Sequence, residues 1–425
     1  MKGPVRLSCV AIMYLSAIGC QGSAMPPVAA DLAAPGGRYA YERRARLIVA
    51  AMTDGELASQ VMMTGVDGVE RLSKPSYDRL DAMRPGAVLL FGYNLSADPR
   101  SVASLAADIR AAASVPTGAS PSSGGLLPPF IAIDHEGGDV YRFKGGLTRL
   151  PSARRMGSGP GSTARAASVA AGAAAGTELR ALGITMNLAP VVEALTADNA
   201  AFLGTRSWSD EPEKAASLAA LFIGACQDGG VAAVAKHFPG NAASDPHRGL
   251  PVLRVSLAEL DGSYLQPFRQ AIGAGVAAVM LSHAIVPAID PESPSSLSAR
   301  TIGLLKGGLG FRGIVMTDDL VMAALAGRGG PGEVAVKAIS AGADMLMVSG
   351  GKAVAEVRAA LLAALADGSL GRDRLTDAAA RIVAQKLRSG LDSETDGDRE
   401  ERLGRLESIV VRNGVALAEA LSGRD

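Results

Sequence analysis

His135, His237, His247 and His283 are the only imidazoles in the 425-residue sequence. Three of them stand at, or within two residues of, the C-terminal end of a short apolar run, and His247 follows such a run by one loop. Imidazole changes charge near neutral pH, so a set gathered in this way suits proton transfer, although a satisfied core histidine is the default for any one of them alone. Asp245 lies two residues before His247. A carboxylate at that spacing can orient the ring and stabilise its charged form, giving a general acid and base; a plain turn is the competing reading of Asp245-Pro246-His247. Asp318 and Asp319 close another apolar run. Adjacent carboxylates raise each other's cost of ionisation, which a fold built for stability alone would avoid. Asp318 suits a nucleophile, and Asp319 suits the cap of a following helix. Lys236 ends a further run, where an unpaired ammonium is costly to bury, so it is expected to meet an anion or a hydroxyl-rich ligand. Asp134, followed closely by Gly137-Gly138, can accept two ligand hydroxyls, with an Asx-turn as the alternative. Arg142 lies eight residues on, as a pocket neighbour or a solvated charge. Arg206 offers a planar fork for hydroxyls or carboxylates. Trp208, the one tryptophan, is read as packing. His135-Glu136 has no second histidine at metal spacing, so neither a zinc site nor any cofactor is expected.

These residues need a scaffold that brings strand ends together. Eight short apolar or β-branched runs occur, at 60–65, 86–91, 130–133, 184–189, 231–237, 276–283, 313–317 and 344–349. Near-continuous apolar runs suit strands buried on both faces of a parallel sheet. Helical patterns alternate with them at 101–113, 162–182, 213–228, 257–274, 299–309, 333–341 and 353–366. Alternation of this kind means βαβ units. Eight of them predict an α/β fold, a (β/α)8 TIM-type barrel forming a single catalytic domain over 41–390, with a doubly wound open sheet as runner-up. In a barrel the C-terminal rim of the strands is where an active site is built. A last helix at 375–388, a polar break at 393–400 and an amphipathic stretch form a C-terminal helical tail, 391–425, read as packing on the barrel before binding a partner.

Hydrophobic residues make up 48% of the chain and charged residues 20%, which excludes disorder for the bulk. Lys+Arg and Asp+Glu are equal at 42, so the basic surplus of a nucleic-acid binder is missing. Three cysteines make no disulfide framework. Lys2 and Arg6 followed by an apolar run from Leu7 to Ile18 read as an export signal over 1–19. Ala17-Ile18-Gly19-Cys20 is similar to a bacterial lipobox with Cys20 as the acylated residue, although Ala17 stands where the pattern prefers Leu; cleavage after Ala24 or Ala30 is the alternative. Residues 20–40, rich in Ala, Pro and Gly, read as a tether. The expectation is an exported chain held at the membrane of the cell envelope or periplasm by its lipid alone, or otherwise secreted. The sequence does not give an oligomeric state.

The segments IDHEGGDVYR (133–142), LGTRSW (203–208), KHFPG (236–240), DPH (245–247), SHAIVPAID (282–290), SSLS (295–298), LGFRGIVMTDDL (309–320) and AGADMLM (341–347) together resemble glycoside hydrolase family 3. The single-domain form and the Asp-x-His loop resemble the bacterial β-N-acetylglucosaminidases of that family; its two-domain β-glucosidases take an acid/base Glu from a second domain. The resemblance implies a carbohydrate substrate and a retaining hydrolysis of terminal β-linked N-acetylglucosamine, from peptidoglycan fragments or chito-oligosaccharides. It implies Asp318 as the nucleophile, His247 held by Asp245 as acid/base in place of a second carboxylate, and Asp134, Arg142, Arg206, Lys236 and His237 as the residues holding the terminal sugar. A β-glucosidase or β-xylosidase, a catalytically degenerate glycan-binding lipoprotein, and transfer to phosphate instead of water are the alternatives. The chain departs from the family's usual pattern at two places. The loop after KHFPG begins with Asn241 where a His is usual and is about two residues shorter, and Glu193 stands where Asp usually follows APV.

Overall fold

The protein is described from a computed structural model covering residues 39–113 and 127–423. The expected export signal, Cys20 and most of the tether lie outside the described residues.

Eight parallel strands close on themselves: β1 (Met62–Gly65), β2 (Ala87–Leu90), β3 (Phe130–Ile133), β4 (Met186–Asn187), β5 (Ala232–Phe238), β6 (Ala278–Leu281), β7 (Ile314–Asp319) and β8 (Met345–Val348). Each pairs with its sequence neighbour, and Met62 of β1 pairs with Leu346 of β8. That last ladder rules out the open-sheet alternative. Every strand residue is buried except Asp318 and Asp319 at the end of β7. The apolar runs thus fill the barrel and its interface with the helices, as a parallel sheet covered on both faces requires.

The strands are shorter than the runs that announce them. β4 keeps two of its six expected residues, and its C-terminal end stops short of the expected limit beside Pro190, which has no N–H to donate. The expected helix at 257–274 is interrupted by a π-helical turn, Leu260–Tyr264, and that at 299–309 ends in one, Leu304–Gly308. Around the barrel, Gly161–Ala181 packs against Pro212–Asp228 at close range. A Cβ on Gly172 would lie 2.5 Å from the Phe222 carbonyl oxygen, and one on Gly176 would lie 2.4 Å from that of Cys226. Cys226 is buried in this seam, which pushes its thiol up to about 12.

The tail packs on the barrel. Part of the expected polar break is helical: Asp396–Gly404 starts there because Thr395 and Asp398 form a reciprocal cap. The following helix, Leu406–Ser422, lies along Gly161–Ala181. Asn413 Nδ2 donates to Glu178 Oε1 at 2.9 Å and to Thr177 Oγ1 at 3.0 Å. Glu178 also accepts from the Thr148 amide at 2.8 Å and hydroxyl at 2.5 Å, so one buried carboxylate ties the tail to the loop after β3. Burial pushes the Glu178 carboxyl up, against the opposing pull of these hydrogen bonds.

Opposite the strand ends, Lys386 of helix Arg372–Arg388 is fully buried, and its ammonium donates to Gln60 Oε1 at 2.7 Å. Burial pushes it down to about 7. Between that value and the ordinary lysine range the unfolded chain binds more protons than the folded one, so the destabilisation from burying this group is complete below about pH 7 and fades as pH rises. The stability difference between Lys386→Met and the wild type should therefore be largest near about pH 6 and shrink towards about pH 9 in urea titrations. A difference that does not change with pH contradicts this.

Candidate active site

The strand ends converge on one cluster of charge. Asp134-His135-Glu136 leaves β3, and Asn187 of β4 fixes its backbone from both sides: the His135 amide donates to Asn187 Oδ1, and Asn187 Nδ2 donates to the His135 carbonyl, each at 3.1 Å. The buried His135 ring packs against Tyr141 and Phe143, with centroids 4.8 and 5.5 Å away. Burial pushes it down to about 3, so this histidine is neutral packing. Glu136 is the hub. Arg206 grips it with two parallel bonds, Nε to Oε2 at 2.8 Å and Nη2 to Oε1 at 2.9 Å. Lys236 Nζ lies 2.7 Å from Glu136 Oε1 and 2.7 Å from Asp134 Oδ1. Burial opposes ionisation of Glu136, but Lys236 and Arg206 outweigh it and hold the carboxyl well below the usual carboxylate range. Burial likewise opposes the charge on Lys236, and Asp134 and Glu136 overcome it.

At the end of β5, where the pairing with β6 shifts register between Lys236 and Phe238, Lys236 meets the β3 acids and His237 meets Glu193 on the segment after β4. Glu193 Oε1 lies 2.8 Å from His237 Nδ1 and accepts from the His237 amide at 3.0 Å.

At the end of β7, Asp318 is partly exposed, and its Oδ1 accepts from the Asp319 amide at 2.8 Å. Burial pushes the Asp318 carboxyl up. His283, His237, the Asp319 amide and Lys236 together outweigh burial, so it stays below the usual carboxylate range. His283 is fixed at both nitrogens, Nε2 at 3.0 Å from the Asp319 carbonyl and Nδ1 at 2.8 Å from Ser296 Oγ. A carbonyl only accepts, so Nε2 carries the proton and Nδ1 of the neutral ring accepts from Ser296. Asp319 does not cap a helix, contrary to expectation. Its Oδ1 accepts from Val321 N at 3.3 Å and Ser349 N at 3.2 Å, pinning β7 to the end of β8.

Asp245 and His247 sit on the loop after β5. His247 Nδ1 lies 2.8 Å from Asp245 Oδ1, which also accepts from the His247 amide at 2.9 Å. The His247 side chain is 67% exposed. Its loop belongs to the same rim as Asp318, because Ala324, just beyond β7, donates its amide to the Pro246 carbonyl at 3.0 Å.

Of the residues selected from sequence, then, Asp134, Arg206 and Lys236 form one network, His237 and Asp318 stand beside it, and Asp245–His247 occupy a neighbouring loop. Arg142 is exposed at the rim, its Cδ 3.9 Å from where a Cβ on Gly92 would lie, just past β2, and takes no part in the network. Trp208 is buried near Phe222, as packing. Glu136, Asn187 and Ser296 were not selected. Two cations, Lys236 at the end of β5 and Arg206 on the connection after β4, demand two counter-charges, and Asp134 alone could not supply them; that deficit was the signal for Glu136. Among the described residues no group of three or more His, Cys, Asp and Glu side chains is arranged to hold a metal ion. The arrangement offers an ionised, reachable carboxylate backed by a charged wall, with a second imidazole–carboxylate pair beside it. It suits nucleophilic attack with proton transfer on a hydroxyl-rich ligand.

Comparison with known proteins bears on the family and the fold. The family model of the glycosyl hydrolase family 3 N terminal domain matches residues 56–385. A β-hexosaminidase of Stenotrophomonas maltophilia is 34% identical over 331 residues, covering 74% of this chain and 94% of the relative. The structure of a family 3 β-N-acetylglucosaminidase from Paenibacillus superimposes with a TM-score of 0.74 at 34% identity, covering 84% of this chain and 68% of that one. A β-N-acetylhexosaminidase from Beutenbergia cavernae gives 0.69 at 31% identity, covering 79% and 98%.

Removing one partner of a buried ion pair costs about 3–5 kcal/mol, because the other charge is left uncompensated. Glu136→Gln and Lys236→Met should each lose about that much in denaturant unfolding. The double variant should lose less than their sum by at least about 1 kcal/mol. Additive losses contradict the network.

Proposed function

Because the chain belongs to glycoside hydrolase family 3, we propose that it is a retaining exo-β-N-acetylglucosaminidase that releases terminal β-linked N-acetylglucosamine from peptidoglycan fragments or chito-oligosaccharides. The observation that carries this reading is Asp318: an ionised, partly exposed carboxylate at the end of β7, with the Asp245–His247 loop hydrogen-bonded to the segment just after it.

In the first step an Asp318 oxygen attacks the anomeric carbon as the bond to the leaving oxygen breaks, and His247 gives its Nε2 proton to that oxygen. In the second, water attacks the same carbon, His247 takes the water proton, and the Asp318 carboxylate is released. Asp245 accepts from Nδ1, which directs Nε2 at the reacting oxygens and stabilises the ring when charged. The terminal sugar is held by Asp134, Arg142, Arg206, Lys236 and His237. Supporting this, the network leaves Asp134 Oδ2, Arg206 Nη1 and one Lys236 proton with capacity for ligand hydroxyls.

Trapping with a 2-fluoro sugar followed by peptide mass spectrometry should place the adduct on Asp318, and Asp318→Asn should lower kcat by about 10⁴-fold. His247→Ala should lose about 10²–10⁴-fold with a poor leaving group, and much less in the first step with a dinitrophenyl group, which departs without a proton. An adduct elsewhere, or equal losses with both substrates in the first step, contradicts the assignment. Faster turnover of an aryl glucoside or xyloside than of the N-acetylglucosaminide favours the other sugar specificity, and sugar binding without turnover favours a glycan-binding protein.

On the sequence grounds given above, the chain is exported and acylated at Cys20. Metabolic labelling with a radioactive fatty acid should mark the wild type in a bacterial host with lipoprotein processing and should not mark Cys20→Ser; label retained in Cys20→Ser contradicts lipidation.

A further inference from the structure

Glu193 is 2% exposed, yet its partners among the described residues include no Lys or Arg. Four donors converge on its two oxygens. Besides the His237 amide and ring, Oε1 accepts from Asn241 Nδ2 at 2.9 Å, and Oε2 accepts from the Asn241 amide at 2.7 Å. The Glu193 carbonyl accepts from Ser207 Oγ at 2.7 Å, one residue past Arg206. The adjoining Val192 donates its amide to the Lys236 carbonyl at 3.0 Å. One residue therefore gathers the segment after β4, the Arg206 turn and the 236–241 loop. A buried carboxylate with so many donors and no cation bonded to it directly, Arg206 acting on it only through space, is an expensive choice for packing alone.

The bond to His237 has a chemical consequence. A carboxylate cannot donate, so Nδ1 of His237 carries a proton, and Nε2 of the neutral ring is an acceptor. Glu193 thereby decides which hydrogen-bonding face His237 turns to a ligand. The two family departures also meet here: residue 193 is one methylene longer than the usual Asp, residue 241 is shorter than the usual His, and the two are hydrogen-bonded to each other.

We propose that Glu193, paired with Asn241, is the positioning residue that sets the tautomer and orientation of His237, and that His237 Nε2 accepts a hydrogen bond from a hydroxyl of the terminal sugar. This rests on the function proposed above for the sugar contact, though the tautomer does not.

Calorimetry with free N-acetylglucosamine and kinetics with an aryl N-acetylglucosaminide should show Kd and KM rising together by about tenfold or more in Glu193→Gln, with kcat changed far less. Glu193→Asp should show a similar loss, because its carboxylate falls short of His237. Glu193→Asp/Asn241→His should recover most of it. A Glu193→Gln Kd within twofold of wild type, or a double variant no better than Glu193→Asp, overturns the proposal. Histidine ¹⁵N spectra provide a readout that needs no sugar. His237 should be the Nδ1–H tautomer in the wild type and should lose that preference in Glu193→Ala; an unchanged tautomer overturns the positioning role. If the wild type neither binds nor turns over the sugar, the function fails, and the spectra still decide the role of Glu193.

Discussion

An ammonium group buried inside a barrel must be neutralised there, and most of the rim architecture follows from how this is done for Lys236. Two carboxylates from the β3 end neutralise it, one of which is shared with Arg206. Four charges in this arrangement are costly to desolvate and return the cost only if the geometry is tight. Asn187 clamps the β3 end, and the Arg206 turn is tied down through Ser207. The charged wall is therefore a fixed feature of the strand ends, made from residues far apart in sequence and held before any ligand arrives. Such preorganisation lets polar groups act on a ligand without rearranging.

Asp318 benefits from the same wall. Partly buried carboxylates tend towards neutrality, which would remove the negative charge of Asp318. The neighbouring imidazoles of His283 and His237, the Asp319 amide and the Lys236 ammonium hold the charge instead. The Asp245–His247 pair sits differently, with a solvated imidazole on a loop outside the barrel proper. Asp318 is thus carried by the end of a barrel strand, and His247 by a segment joined to the β7 side through the backbone hydrogen bond between Ala324 and Pro246.

The barrel was legible because all eight apolar runs are strands and their spacing leaves room for a helix between each pair. The exact limits were not, since Pro190 and the two π-helical turns act through local backbone chemistry that periodicity averages away. Asp134, Lys236, His237 and Asp318 could be found because charged or titratable residues at the ends of apolar runs stand out, and Arg206 through its planar fork in LGTRSW. Glu136 was hidden by its neighbours: in Asp134-His135-Glu136 the eye goes to the first acid and the histidine, although the histidine is packing. The importance of Glu193 and Ser296 lies in what they touch, 44 and 13 residues away, which no local pattern encodes. Asp319 misled for the reverse reason, because an Asp before a polar turn looks like a helix cap whether or not a helix follows.

The clasp made by Thr148, Glu178 and Asn413 bears on how the molecule is assembled. Its members are separated by up to 265 positions along the chain, so a polypeptide emerging N-terminus first cannot satisfy Glu178 until Asn413 has followed. Until then an acid destined for the interior lacks one of its donors, and the flank that carries the post-β3 loop stays unsealed. Closure of β1 on β8 imposes the same order on the barrel itself. Sealing of that flank therefore waits on helix Leu406–Ser422.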